Sequence, residues 1–224
     1  MSGAVRIGIV DSGVHAGHPH VGRIAGGIAV EDNGFSGDFV DRLGHGTAVA
    51  ALIHFLAPQA ELLAVRIFDR RLATGIDRVI RAMDWCLEND VQIINLSLGT
   101  TNPEHRAPFL AAADRVRSAG AVLVSAFEMN GTRMLPGSLP GVIGVAADAD
   151  CPREEFRVTE REGKRVFCAS PFPREIPGVP REQNLQGVSF AVAHISAHLA
   201  RCRSEDNAAL YCEDRLARRQ SASV

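Results

Sequence analysis

The stretch Gln186-Gly187-Val188-Ser189-Phe190-Ala191-Val192-Ala193-His194 follows a Pro-rich loop and opens an apolar segment that ends near Cys202. Gly187 permits a tight backbone approach that a side chain would block. The segment predicts a helix with Ser189 in its first turn. There Oγ can point outward, and the nearby N–H groups have no intrahelical partner. A nucleophile beside free N–H donors suits acyl transfer, because those donors can hold a developing oxyanion. The commoner role for such a serine is an N-cap. The choice between the two turns on the rest of the chain.

Outward from that stretch, short β-branched runs alternate with amphipathic segments. Val5 to Val10 reads as a buried strand ending at Asp11-Ser12-Gly13. His15 to Asp41, rich in Gly and His, reads as loops with short extended pieces. Gly44-His45-Gly46-Thr47 opens an apolar helix, Ala48 to Leu56, stopped by Pro58. Further strands are expected over Glu61 to Phe68, Val91 to Leu96, Ala121 to Ala126 and Val142 to Ala146. Gly75 to Asn89 has helical period, with Ile76, Val79, Ile80, Met83 and Leu87 on one face. Pro103 to Ala119 reads as a helix that Gly120 ends. Strands alternating with helices predict an α/β domain, a mainly parallel sheet covered on both faces.

Glu155 to Cys168 changes character: two charged, alternating runs around Glu162-Gly163 predict a hairpin. Pro171 to Pro180 reads as a loop. Ser204 to Arg219 reads as a polar surface helix carrying Leu210, Tyr211 and Leu216. No internal repeat or long linker divides the chain. Residues 1–224 are therefore expected to form one domain, with its core over 5–203 and the surface helix over 204–219.

The 224 residues are 46% hydrophobic and 22% charged, ordinary for a soluble domain, and a net charge of −2 supplies no basic field for nucleic acid. Lys164 is the only lysine. No apolar window is long enough to span a membrane. Met1 to Val10 lacks the charged region, apolar core and cleavage site of a secretion signal, so a cytoplasmic location is expected. The five cysteines (Cys86, Cys151, Cys168, Cys202, Cys212) are scattered without metal-knuckle spacing and read as reduced, mostly buried thiols.

In open α/β sheets, functional groups gather at the carboxyl ends of strands and at the helix starts that follow. Asp11 ends the first strand, His45 opens a helix and Ser189 opens another. Each is weak evidence alone. Together they supply an orienting carboxylate, a base and a nucleophile. The order Asp, His, Ser, with the texts Asp11-Ser12-Gly13, His45-Gly46-Thr47-Ala48-Val49-Ala50 and Gly187-Val188-Ser189-Phe190-Ala191, resembles the subtilisin-like (S8) serine proteases. Their patterns D-[ST]-G and H-G-T-x-V-A match in full. Their G-T-S-M-A-x-P matches at Gly187, Ser189 and Ala191, and departs at Val188, Phe190 and Ala193. The resemblance runs from about Val5 to about Arg201.

The resemblance implies a three-layer subtilisin-like fold and peptide-bond hydrolysis. Ser189 would attack, His45 would shuttle the proton, and Asp11 would fix the imidazole. Ser97, Leu98 and Gly99 resemble the segment that pairs with the substrate backbone. The family also places an asparagine donor for the oxyanion just past the strand read as Ala121 to Ala126. A gapless alignment puts Met129 there, so the expected donor is Asn130, one residue on, with Glu128 the alternative. The family's calcium-site Asp falls on His20, a poor ligand for a hard cation, so no calcium and no other cofactor is expected. His15, His18 and His20 lack a carboxylate or thiolate to complete a metal site. His194 and His198 lack the intervening glutamate of a zinc helix.

The catalytic strand is expected to begin five residues from Met1, with no propeptide before it. An unrestrained cytoplasmic protease would be hazardous, so the expected partner is one specific peptide or protein precursor, with neither nucleic acid nor membrane involved. Within the family the chain looks most like the small intracellular type that removes a leader, as in maturation of the peptide subunit of quinohemoprotein amine dehydrogenase. The rival expectation is a subtilisin-like protein that grips a peptide without cutting it.

Overall fold

The computed structural model describes residues 4–206. Its strands are β1 (Arg6–Asp11), β2 (Ile24–Glu31), β3 (Gly34–Ser36), β4 (Glu61–Arg66), β5 (Ile93–Leu96), β6 (Val122–Ala126), β7 (Glu128–Met129), β8 (Thr132–Arg133), β9 (Ile143–Ala147), β10 (Phe156–Arg161) and β11 (Lys164–Ala169). Its helices are α1 (His45–Leu56), α2 (Ile76–Glu88), α3 (Arg106–Ser118) and α4 (Val188–Asp206). Nine strands form one sheet in the order β10-β11-β9-β6-β5-β1-β4-β2-β3. The seven from β11 to β2 run parallel. The edge strands β10 and β3 are antiparallel to their neighbours.

Side chains alternate across this sheet, as the strand period requires. Ile7, Ile9, Leu62, Ala64, Ile93 and Val124 join one apolar layer with α1 and α4. Val10, Leu63, Val65, Ile94 and Leu123 join the other with α2 and α3. With both faces covered, β1 is buried from Ile7 to Asp11, hence its unbroken apolar text. The sheet is thus the mainly parallel middle layer of three. β1, sixth of the nine strands, lies between β4 on one side and β5 on the other, so the order reverses direction at β1. Such a switch point leaves a crevice at the carboxyl ends, where Asp11 sits.

The hairpin expected around Glu162-Gly163 is β10–β11, and both turn residues have positive φ (50° and 73°), as a two-residue turn of this hand needs. Its Lys164 ammonium donates to the carbonyls of Gly137 and Leu139. The reading of 15–41 as loops misses β2. Gly26 and Gly27 erase its strand pattern, yet Gly27 is where the backbone comes close: a Cβ there would lie 2.7 Å from both the Ala64 carbonyl and the Phe39 ring. Pairing with β4, not propensity, makes this a strand. α4 continues through the expected break at Ser204 as far as Asp206; the rest of the expected surface helix lies outside the described residues. Among the described residues, no helix is long and apolar enough to cross a membrane. Cys86, Cys151 and Cys168 are buried thiols.

His194 and His198 lie one turn apart on α4, both buried. His194 Nε2 lies 3.1 Å from the Phe172 carbonyl, and the His198 ring packs on Phe156. Burial lowers His194 to about 4, and burial with the nearby His194 and Arg201 lowers His198 to about 3. Both folded values lie below the ordinary 6.5, so the unfolded chain takes up protons that the folded state refuses. Their contribution to stability is therefore complete above pH 6.5 and lost as pH falls toward 4. At about 1.4 kcal/mol per unit, His194 alone withdraws on the order of 3 kcal/mol over that interval. Urea unfolding should show a midpoint that drops steeply between pH 6.5 and 4.5, less so in the double variant His194→Leu/His198→Leu. Equal slopes for the two proteins would contradict this assignment.

Candidate active site

The Asp11 carboxylate at the end of β1 has no solvent exposure. It accepts from the Ser12 N–H at 2.7 Å, and both its oxygens face His45 Nδ1, at 2.8 and 3.0 Å. Nδ1–H donating to Asp11 leaves Nε2 with a lone pair, the tautomer a general base needs. His45 is the first residue of α1, and Gly46 explains how it comes so near. A Cβ on Gly46 would stand 2.1 Å from the Gly13 carbonyl and 3.2 Å from Asp11 Cβ, so only glycine lets the helix start abut the strand end.

The N-cap of α1 is Gly44, which has no side chain to satisfy the first N–H groups. Asp41 does that work from three residues upstream. Its Oδ1 accepts from Ser12 Oγ and from the N–H groups of Leu43 and Gly44; its Oδ2 accepts from the N–H and Oγ1 of Thr47. The Ser12 hydroxyl in turn accepts from the Gly46 N–H. Burial alone would raise the Asp41 carboxyl, but the hydrogen bonds from Thr47, Leu43 and Ser12 outweigh it and hold it below the usual range. At His45, burial works against the proton, yet the hydrogen bond and charge of Asp11 and the charge of Asp41 prevail, and its pKa is raised. Sequence reading took Asp41 only as the end of a loop. The available signal was an acid three residues ahead of a helix whose N-cap position is glycine.

Ser189 is the second residue of α4. Its Oγ donates to the Ser97 carbonyl at 3.4 Å. A buried chain, Ser196 Oγ to Asn95 Oδ1 (2.9 Å) and Asn95 Nδ2 to Ser97 Oγ (2.8 Å), ties α4 to the end of β5. Ser125 Oγ donates to the Leu98 carbonyl, fixing the next residue. His45, Ser97, Leu98, Gly99, Ser189 and Met129 share the walls of one cleft of about 170 Å³. The structure thus brings together every expected site residue except Asn130. Asn130 stands at the exposed apex of the β7–β8 turn with φ of 51°, followed by Gly131 at 76°, and Met129 faces the cleft instead. Asn-Gly at a two-residue turn is a hairpin signal that the choice of Asn130 as oxyanion donor passed over. Among the described residues there is no cluster of three or more His, Cys, Asp or Glu arranged to hold a metal.

The Peptidase S8 family model, described as the subtilase family, matches residues 2–218. The chain belongs to the subtilase family. It is 30% identical over 221 residues to the thermostable alkaline protease of Halalkalibacterium halodurans, covering 89% of this chain and 56% of that protein. It is 30% identical over 225 residues to the intracellular serine protease of Paenibacillus polymyxa, covering 91% of this chain and 68% of that protein. The chain therefore spans little more than half the length of the first of these relatives. The solved prenylagaramide maturation protease has the same fold, with a TM-score of 0.69 at 23% identity over 91% of this chain and 76% of that one.

The subtilase pattern has methionine where this chain has Phe190. Here the Phe190 ring is buried against the His45 imidazole, centroids 5.5 Å apart. The departure keeps an apolar support against the His45 imidazole.

Removing the Asp41 charge takes away one of the influences that raise His45. In Asp41→Asn, NMR titration should find the His45 imidazole protonating at lower pH than in the parent. Loss of two acceptor sites for Thr47 should also lower stability by about 1–3 kcal/mol. A His45 midpoint unchanged by the substitution would show that Asp41 does not act on it.

Proposed function

We propose that this subtilase is a serine endopeptidase acting through Asp11, His45 and Ser189. The observation that carries the proposal is the Asp11–His45 pair, buried and two-pronged, sharing one cleft with a helix-start serine. Ser189 Oγ attacks the scissile carbonyl while His45 Nε2 takes its proton, and Asp11 stabilises the imidazolium that forms. His45 then returns the proton to the leaving amine, and water repeats the cycle on the acyl-enzyme. The Ser189 N–H, unpartnered at the start of α4, is one oxyanion donor. The substrate lies along Ser97-Leu98-Gly99 as an added strand. Phe68, Leu72, Met129 and Met134 give the cleft an apolar wall, suited to an apolar residue on the acyl side.

The same proposal assigns the chain to dedicated processing of one precursor in the cytoplasm, by removal of a leader. Its support is the shared fold of a maturation protease and the similarity to an intracellular serine protease. A second reading, a peptide-binding protein without turnover, draws on the Ser189 hydroxyl being turned to the Ser97 carbonyl. A fluorophosphonate probe separates the two, since only an activated serine reacts. The parent should label, and Ser189→Ala should lose both labelling and cleavage, the latter by a factor on the order of 10⁶, as known for subtilisin itself. Casein should be cut slowly or not at all. An unlabelled parent sinks the protease, and rapid casein digestion sinks the dedicated role.

Asn130 is the proposed side-chain donor of the oxyanion hole, which requires the β7–β8 turn to swing inward when substrate binds. Asn130→Gly preserves the positive φ of the turn and removes only the amide. It should lower kcat roughly 10²–10³-fold with KM little changed, the loss known for such a donor in subtilisin. Full kcat in this variant would place the donor elsewhere.

A further inference from the structure

A second depression, of about 410 Å³, opens on the outward side of α1 and shares no wall residue with the cleft just described. Its floor includes Thr47 and Ala48, two and three residues beyond His45. One wall is the 15–20 loop with His15, His18 and His20; the other is the 173–185 segment with Arg174 and Leu185. Leu185 is four residues before Ser189. His45 and Ser189 thus lie between two depressions. The cleft with Ser97-Leu98-Gly99 takes the acyl side of a peptide, which leaves this groove for the departing side.

The chemistry of the walls is one-sided. Two carboxylates border the groove, and both are engaged. Asp41 accepts from Ser12, Leu43, Gly44 and Thr47, and Glu175 pairs with Arg153. Arg174 has no carboxylate partner among the described residues; its guanidinium rests over the Phe55 ring, 5.3 Å from the centroid. His15 and His18 are exposed and His20 half-buried. The His18 and His20 rings meet edge to face, 5.2 Å apart. The Arg174 charge is also the main influence lowering His20, a sign that it is felt across the groove. An unpaired guanidinium on an aromatic face, close enough to His20 for its charge to be felt there and sharing the groove's walls with His15 and His18, is a receptor for a carboxylate.

We propose that this groove binds an acidic side chain, Asp or Glu, on the leaving-group side of the peptide, with Arg174 as the pairing cation and His15, His18 and His20 as hydrogen-bonding walls. The assignment of the groove to the leaving side rests on the protease reading; its preference for a carboxylate does not. An acid in the first few residues after the scissile bond would thus mark the bond to be cut. Substrates with lysine there would meet an unneutralised Arg174, which rejects them as well as favouring the right ones.

Two measurements on the full chain test this, with fluorophosphonate labelling as the separate check on the protease reading. In the first, NMR follows the imidazole signals of His15, His18 and His20 during titration with acetyl-tetraglutamate-amide. The signals should shift in the parent, stay put with the tetraglutamine peptide, and stay put in Arg174→Gln and Arg174→Glu. In the second, a mixed peptide library is digested and the released carboxyl-terminal fragments are sequenced. Asp and Glu should be enriched among their first residues on the order of 5-fold, the scale of a half-exposed ion pair. Arg174→Glu should turn that preference toward Lys and Arg. A labelled enzyme without acidic enrichment overturns the groove and leaves the protease standing. An unlabelled protein whose histidines answer tetraglutamate does the reverse. Histidines silent to tetraglutamate in the parent, or shifting equally in Arg174→Glu, remove the carboxylate site altogether.

Discussion

A carboxylate with none of its surface in water is the constraint around which this molecule is arranged. Burying the Asp11 charge without partners would cost far more than a domain of this size can spare. The site therefore has to deliver donors to it: the Ser12 N–H from its own chain and His45 from a helix start. The helix can reach only because Gly46 has no side chain, and it holds its angle because Asp41 ties its first turn to Ser12. The H-G-T text is thus the condition for bringing a donor to a buried charge. A substitution at Gly46 acts on the imidazole through the packing of α1 against the end of β1.

The helix carrying Ser189 meets a different demand. α4 packs against α1 and runs beneath β5, β6, β9 and β11, so Phe190 through Ala200 are buried on every side. Small residues (Ala191, Ala193, Ala197 and Ala200) let it sit close to both neighbours. Polar groups in such a place need partners. Ser196 finds Asn95, and His194 finds the Phe172 carbonyl. The first of these bonds belongs to the chain that ends at Ser97, so the core polar network is continuous with the Ser97-Leu98-Gly99 wall of the cleft.

What was legible in the sequence follows from where the sheet buries its strands. β1, β4 and β5 are covered on both faces and announce themselves as apolar runs; α2, covered on one face, shows its stripe. The β10–β11 hairpin, half in water, shows alternation and a Glu-Gly turn. β2 was illegible because its glycines answer to Phe39 and the Ala64 carbonyl, contacts made at long range. Asp11 and His45 meet as their texts suggest because Gly46 lets the helix start abut the strand end, whereas nothing stands within 4 Å of a Cβ added to Gly187, so the text before Ser189 is not dictated by such packing. Asp41 was not legible, since a cap acting from three residues away leaves no periodic trace. Counting along an alignment put Met129 at the family's asparagine position, and Met129 does face the cleft; Asn130, chosen as the nearest donor one residue on, sits in a two-residue turn that points it outward. The groove over α1 joins two segments some 150 residues apart and could appear only in three dimensions.

The burial of α4 also has a consequence in time. The carboxylate stands at residue 11 and the hydroxyl only at residue 189, on a helix that packs against α1, β5, β6, β9 and β11, all of which precede it in the chain. A ribosome therefore releases the pieces of the site in an order that keeps them apart. On the proposed mechanism, a nascent chain with its sheet half laid down holds Asp11 and His45 but not Ser189. Truncation anywhere before α4 removes the proposed nucleophile, so on that reading restraint is built into the order of synthesis.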